Sequence, residues 1–243
     1  MRTIKAAGLG TLFTVKGAKL SNAAHIDEMQ TLAWLAKANR AAGARKVGFV
    51  NHPWHPSKEE QYLSTPDDAY AYAASIFASP EVWPHVLADL GLEGKAIALV
   101  PMPASCTTKS SAPGERWPAL ALAKALASHG LGNVYPCVVN RSVTQEQTAS
   151  KVRIQAHAIA DNHEVLVRPP LGHAFLLVDD VITWGKRTAA VDHSLGGRRD
   201  TGAICIAFTD DNTQTEDAYR PKLRTITYSA DARPWTVSIS PVM

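Results

Sequence analysis

Cysteine is scarce in this chain. Cys106, Cys137 and Cys205 are the three among 243 residues, odd in number and far apart, with no Cys-x-x-Cys pair. Neither a disulfide framework nor a structural zinc finger is supported, and a reducing compartment is expected. Long apolar runs are lacking as well: none approaches the ~20 residues of a membrane-spanning helix, so no membrane partner and a cytoplasmic location are expected. One-sided charge is also missing. With 25 Lys and Arg against 22 Asp and Glu the formal net charge is +3, too little for the clustered basic face that nucleic-acid binding requires. The basic tilt and nine histidines suit an anionic small molecule instead. Neither an internal repeat nor a low-complexity segment is present.

What is there is an ordinary globular composition, 46% hydrophobic and 19% charged, enough for a large core. Met1 to Val15 has the two basic residues and mild apolarity of a leader. Its run is short, holds Gly8 and Gly10 and soon meets Lys16 and Lys19, so one or two buried strands over Ile4 to Val15 are the better expectation. Helical spacing predicts a helix over Ile26 to Ala42, stopped at Gly43. A short strand follows at Lys46 to Val50, then a loop over Asn51 to Ser64. Thr65-Pro-Asp-Asp opens a helix reaching about Ala78, with a cap, a first-turn proline and acids at the positive end; a second runs from Pro80 to Leu90. From Lys95 apolar strand runs (Ala96 to Val100, Val134 to Val139, Phe175 to Val178, Ala203 to Phe208) alternate with helices (Trp117 to His129, Lys186 to Leu195). That alternation predicts an α/β fold with a doubly wound, mostly parallel sheet. Thr209 to Pro221 reads as a linker before a hairpin over Leu223 to Ser240. The expected division is an N-terminal α/β cap over 1–94, a core over 95–210 and a C-terminal linker and hairpin over 211–243.

The chemistry concentrates in Phe175 to Thr188. Four apolar residues carry the chain through the core, and Asp179 and Asp180 then stand where the strand is expected to end. Two neighbouring acids repel unless sugar hydroxyls or a divalent cation bind them. Thr183-Trp-Gly-Lys-Arg-Thr188 follows, and the amides of such a turn, with a helix dipole behind them, cradle an anion. Acids for a ribose beside a hydroxyl-rich turn for its 5′-phosphate describe a site for a phosphorylated pentose. The plainer reading, acids that merely cap a strand end in water, stays open here.

This stretch resembles the diphosphate-sugar signature of the type I phosphoribosyltransferases, with Trp184 where that family usually has a small residue. Arg141, Thr144, Gln145 and Arg153 upstream, with Val100-Pro-Met-Pro103 as first core strand and turn, are similar to the ComF-like (competence-associated) branch. The likeness covers about Ala96 to Phe208, without the cysteine-rich zinc segment often found there and with His157 in place of an Asn. It implies transfer of the phosphoribosyl group from phosphoribosyl diphosphate to a small nitrogenous acceptor such as a nucleobase, with Mg2+, in a chain that pairs as its relatives commonly do. It further implies Asp179, Asp180, Arg153 and Lys151 as the catalytic set, the two aspartates also holding Mg2+ directly or through water. Thr183, Trp184, Gly185, Lys186, Arg187 and Thr188 would hold the 5′-phosphate. Ala104, Ser105, Cys106, Lys109 and Arg141 would face the diphosphate. A second expectation, favoured by Trp184 and the missing zinc segment, is a protein of the same fold that senses a phosphorylated ribose without transfer.

Outside this stretch the signals are weaker. Asn51-His-Pro-Trp-His55 could pack as a loop, form part of an acceptor pocket with Trp54 stacking on a ring, or bind a metal, although no co-ligands stand at matching spacing. Cys106 has no identifiable triad partner and reads as a small loop residue. Trp83, Trp117 and Trp235 read as core or interface residues.

Overall fold

A computed structural model of the chain describes residues 1–13, 32, 48–52, 54–104, 106–110, 117–143, 154–210 and 222–242. The chain opens with strand β1 (Arg2–Phe13), then β2 (Gly48–Val50) and β3 (Gln61–Leu63). Helices α1 (Pro66–Phe77) and α2 (Trp83–Leu90) lead into β4 (Ile97–Pro101) and α3 (Pro118–Ser128). Next come β5 (Asn133–Val134), β6 (Val138–Asn140), α4 (Ala156–Asp161) and β7 (His163–Val165). The chain finishes with β8 (Ala174–Ile182), α5 (Lys186–Ser194), β9 (Thr201–Asp210), β10 (Lys222–Ser229) and β11 (Thr236–Pro241).

Seven strands form one sheet in the order β11-β10-β1-β9-β8-β4-β5. β5, β4, β8, β9 and β1 are parallel neighbours, and β10 and β11 extend the β1 side as an antiparallel pair. Helices cover both faces. Leu122 and Leu126 of α3, with Phe77 of α1 and Val86 of α2, bury Ala7, Leu9, Leu99, Leu176 and Ile204 on one face. Ala189 and Val191 of α5 bury Ile4, Ala6, Val100, Leu177 and Ala203 on the other. The expected α/β class therefore holds as a mixed sheet, mostly parallel, between helices.

Several boundaries differ from expectation, each for a local reason. β1 is one continuous strand lodged between β9 and β10, so residues 2–13 belong to the central sheet rather than to a cap over it. Its side chains are buried on both faces, as a strand in mid-sheet requires. Gly8 allows close approach there, since a Cβ would stand 2.8 Å from the Phe208 ring. The loop expected over Asn51 to Ser64 contains β3, which pairs with β2. The strand expected over Val134 to Val139 splits: β5 lies on β4, whereas β6 leaves the sheet and pairs with β7. Pro136 sits at the break, where a residue without an N–H cannot continue a ladder. The second helix starts at Trp83, not Pro80. The predicted Ile26 to Ala42 helix lies outside the described residues except for Leu32, which is helical and buried. Most of the Thr209 to Pro221 linker is outside them too, and Thr209 and Asp210 extend β9.

The cap of α1 is as the sequence suggests. Thr65 Oγ1 accepts from the Asp68 N–H at 3.1 Å, and Asp68 Oδ2 accepts from the Thr65 N–H at 2.7 Å. Among the described residues no helix is long and apolar enough to cross a membrane.

Candidate functional site

Topology picks out one place on this sheet. After β4 the chain crosses through α3 to β5 on one side; after β8 it crosses through α5 to β9 on the other. The direction of winding reverses between β4 and β8, with the two crossover helices on opposite faces. Loops diverge at the carboxyl ends of such a strand pair and leave a crevice, the usual ligand position in open α/β sheets.

The paired acids stand at this crevice, but inside a strand. β8 continues past them to Ile182, against the expected end at Val178, because β9 still pairs with it: Asp179 opposes Cys205 and Ile182 opposes Phe208. On its other side β4 has already finished, with Pro101 opposite Val178. The Met102 N–H donates to the Val178 carbonyl at 2.9 Å, after which the chain leaves. The next outward amide on that side belongs to Asp180, and it donates to Asp179 Oδ1 at 3.0 Å.

Strand alternation sets the two carboxyl groups on opposite faces. Asp179 shares its face with Phe175, Leu177 and helix α5, and its Oδ1 lies 3.9 Å from Arg187 Nη1. Asp180 shares the other face with Leu176 and Val178. Its residue is 2% exposed, and its Oδ2 is buried with no hydrogen-bond partner. A bare buried carboxyl oxygen is costly, on the order of 1–3 kcal/mol or more, unless something binds it. A sugar hydroxyl, a water or a cation meets that need. Cys205, across from Asp179, has its thiol pKa raised by burial first and then by both acids; it is inert packing.

The following turn is built for close approach. Gly185 is the N-cap of α5 with φ 67°, ψ −1°, and a Cβ there would lie 2.8 Å from Ile226 Cγ2. Thr183 accepts a hydrogen bond from the Thr209 hydroxyl at 3.3 Å. Thr188 is buried and Trp184 is 44% exposed. The first i→i−4 bond of α5 runs from Ala189 N–H to the Gly185 carbonyl at 2.9 Å, so the amides before it are helix-start donors. No acid stands in this first turn; Lys186 and Arg187 do. Cations beside a positive helix end repel it, and a bound anion reverses that cost. Gly185→Ala should lower stability by about 1–3 kcal/mol through left-handed strain and the Ile226 clash together. Placed in an Ile226→Ala background, which lacks both Cγ atoms, the same change should cost only the strain share, read from a double-mutant cycle by urea unfolding.

The loop after β4 forms the other wall. Asn140 of β6 donates to the Ala104 carbonyl at 2.6 Å and the Thr107 carbonyl at 3.1 Å, and the Asn140 N–H donates to Thr107 at 2.8 Å. Trp117 Nε1 holds the Met102 carbonyl at 2.7 Å. Ala104 is buried and Cys106 half-buried. Lys109 pairs with Glu164 at 3.5 Å, and Arg141 Nε donates to the His163 carbonyl at 3.1 Å. Ala104, Cys106, Lys109 and Arg141 are thus gathered where the loop after β4 meets the β6–β7 pair. Ser105, Lys151 and Arg153, with Thr144 and Gln145, lie outside the described residues. Reading the sequence missed Asn140, His163 and Glu164; each lies in a short element with no periodicity long enough to register.

The histidine loop packs on α1. The His52 N–H donates to the Tyr72 hydroxyl at 2.7 Å, and His55 stacks on the Tyr72 ring of α1 with centroids 4.2 Å apart. Burial lowers the His55 pKa. Among the described residues no group of three or more His, Cys, Asp or Glu side chains gathers in a metal-holding cluster. No family model, no curated protein and no solved structure matches the chain.

Proposed function

We propose that the protein is a type I phosphoribosyltransferase, similar to the ComF-like branch, that moves the 5-phosphoribosyl group from phosphoribosyl diphosphate to a nitrogen acceptor and releases diphosphate. One observation carries this reading. At the winding reversal of the sheet, β8 carries a buried acid with a bare oxygen, Asp180, beside Asp179, and leads into a helix start that carries Lys186 and Arg187 and no acid. That succession suits a ligand that carries both hydroxyls and a phosphate. The order of residues in Phe175 to Thr188 supports it.

On this reading Asp180 takes the ribose hydroxyls, and Asp179 orients Arg187 toward the 5′-phosphate seated on the Gly185 to Thr188 turn. Lys109 and Arg141 supply charge on the diphosphate side. Mg2+ would be held at Asp180, whose unpartnered oxygen fits a hard cation, and when bound it neutralises charge on the departing diphosphate. The bond from the anomeric carbon to the diphosphate oxygen breaks as the bond to the acceptor nitrogen forms. The chain's contribution is positioning and charge, which suffice where the leaving group needs little covalent help.

A sensor that binds without turnover is the second reading, favoured by the exposed Trp184 at the phosphate turn. One assay separates the two: protein with phosphoribosyl diphosphate, Mg2+ and a panel of nucleobases, followed for diphosphate release. Acceptor-dependent release is the expected result. Tight binding without release moves the conclusion to the sensor, and no binding removes both.

A further inference from the structure

Three of the four cations of the described site bond to one segment that carries no signature of its own, Ile154 to Glu164. Lys109 pairs with Glu164, and Arg141 Nε donates to the His163 carbonyl. Lys186 Nζ donates to the Ile154 carbonyl at 3.4 Å and to Gln155 Oε1 at 3.5 Å. The fourth, Arg187, faces Asp179 Oδ1 at 3.9 Å instead, and its charge acts on the His163 imidazole. The segment is itself pinned from outside, where Arg233 makes a two-pronged pair with Asp161 at 2.7 and 2.9 Å.

His163 is the residue common to both walls of the crevice. Its carbonyl holds Arg141, on the diphosphate side. The residue is 5% exposed, and its ring lies along α5 with Nδ1 3.0 Å from Ser194 Oγ. The Ser194 hydroxyl donates to the Ala190 carbonyl at 2.8 Å, which leaves its oxygen to accept from a proton on His163 Nδ1. Arg187, Ala190 and Ser194 form one stripe of α5 at helical spacing. Nε2 is buried without a hydrogen-bond partner. Burial first, then the Arg187 charge, holds the imidazole pKa down to about 4, so at neutral pH the ring adds no charge beside Arg187.

We infer that His163 is a positioning residue that fixes the spacing between the diphosphate-side cation Arg141 and the phosphate-side helix α5. This rests on the function proposed above. Its consequence is specific: a ligand that spans both walls depends on the spacing, whereas a fragment that touches one wall does not. Two linked contacts gain from each other only while their separation matches the ligand, and misplacement of about 1 Å can cost a hundredfold.

The experiment is calorimetric titration of wild type, His163→Ala and His163→Asn with phosphoribosyl diphosphate, ribose 5-phosphate and inorganic diphosphate, all with Mg2+. His163→Ala should lose about tenfold or more for the spanning ligand and no more than about threefold for either fragment. His163→Asn, whose amide can still donate to Ser194, should recover most of the loss. Equal losses for all three ligands, or none for the spanning one, overturn the inference while leaving the functional proposal standing. A wild type that binds none of the three removes both. If His163→Ala does not fold, Ser194→Ala frees the ring from α5 without opening β7, and the same comparison applies to it.

Discussion

Asp180→Asn should weaken binding of phosphoribosyl diphosphate by roughly 100-fold, about 3 kcal/mol at ~1.4 kcal/mol per tenfold, while the empty protein should gain about 1 kcal/mol or more of stability as a costly buried charge is removed. Asp179→Asn should do the opposite: binding falls by about tenfold and stability by about 1–2 kcal/mol. The asymmetry follows from the strand. Asp179 Oδ1 already receives the Asp180 amide and faces the Arg187 guanidinium, so its charge serves the empty protein. The Asp180 Oδ2 has no protein partner, so the empty fold gains nothing from it, and the ligand gains a charge-assisted contact in a dry place. Titration calorimetry and urea unfolding of the two single variants measure both quantities. Equal behaviour of the two in both measurements would falsify the division of roles. A fully active Asp180→Asn would remove that residue from the site.

How much of this could be read from the sequence follows from how local each cause is. The apolar runs at Ala96 to Val100 and Phe175 to Val178, the Thr65 cap and the glycine after Trp184 act within a few residues, and the structure has each in place. The acids were visible as a pair, but not their separation onto two faces. That depends on β8 staying extended beyond Val178, and only β9, pairing from Thr201 onward, decides it. The same holds for β1. Ile4 to Val15 announces one or two strands, yet the place of β1 between β9 and β10 is set by partners about 200 residues away. The frame over Ile154 to Glu164 was not legible at all. A helix of 6 residues and a strand of 3 offer no repeat to detect, and their importance lies in main-chain carbonyls that accept from Lys186 and Arg141, which any residue type supplies.

Asp192→Ala should cost about 3 kcal/mol of stability, the largest single loss expected outside the apolar core. Asp192 is fully buried on α5. Its carboxylate accepts from Arg2 Nε at 3.0 Å and Nη2 at 3.4 Å, and from the Tyr228 hydroxyl at 2.9 Å. One side chain thereby joins α5 to β1 and β10, and removing it leaves a partly buried guanidinium and a phenol without their acceptor. Burial, then the Asp192 charge, raises the Tyr228 pKa, so the phenol remains a donor at any working pH. Tyr228→Phe removes one of three hydrogen bonds and should cost only about 1 kcal/mol. The two losses should be non-additive, because they share an oxygen. The effect should also reach the ligand. β10 supports α5 twice, through Tyr228 on Asp192 and through Ile226 under Gly185, so loosening the first support shifts the helix whose start we propose as the phosphate seat. Ribose 5-phosphate affinity should therefore fall several-fold in Asp192→Ala, although Asp192 lies outside the proposed site. Urea unfolding gives the first number and calorimetry the second. A stability change below about 1 kcal/mol would show that the Arg2–Asp192–Tyr228 network does not hold α5 in place.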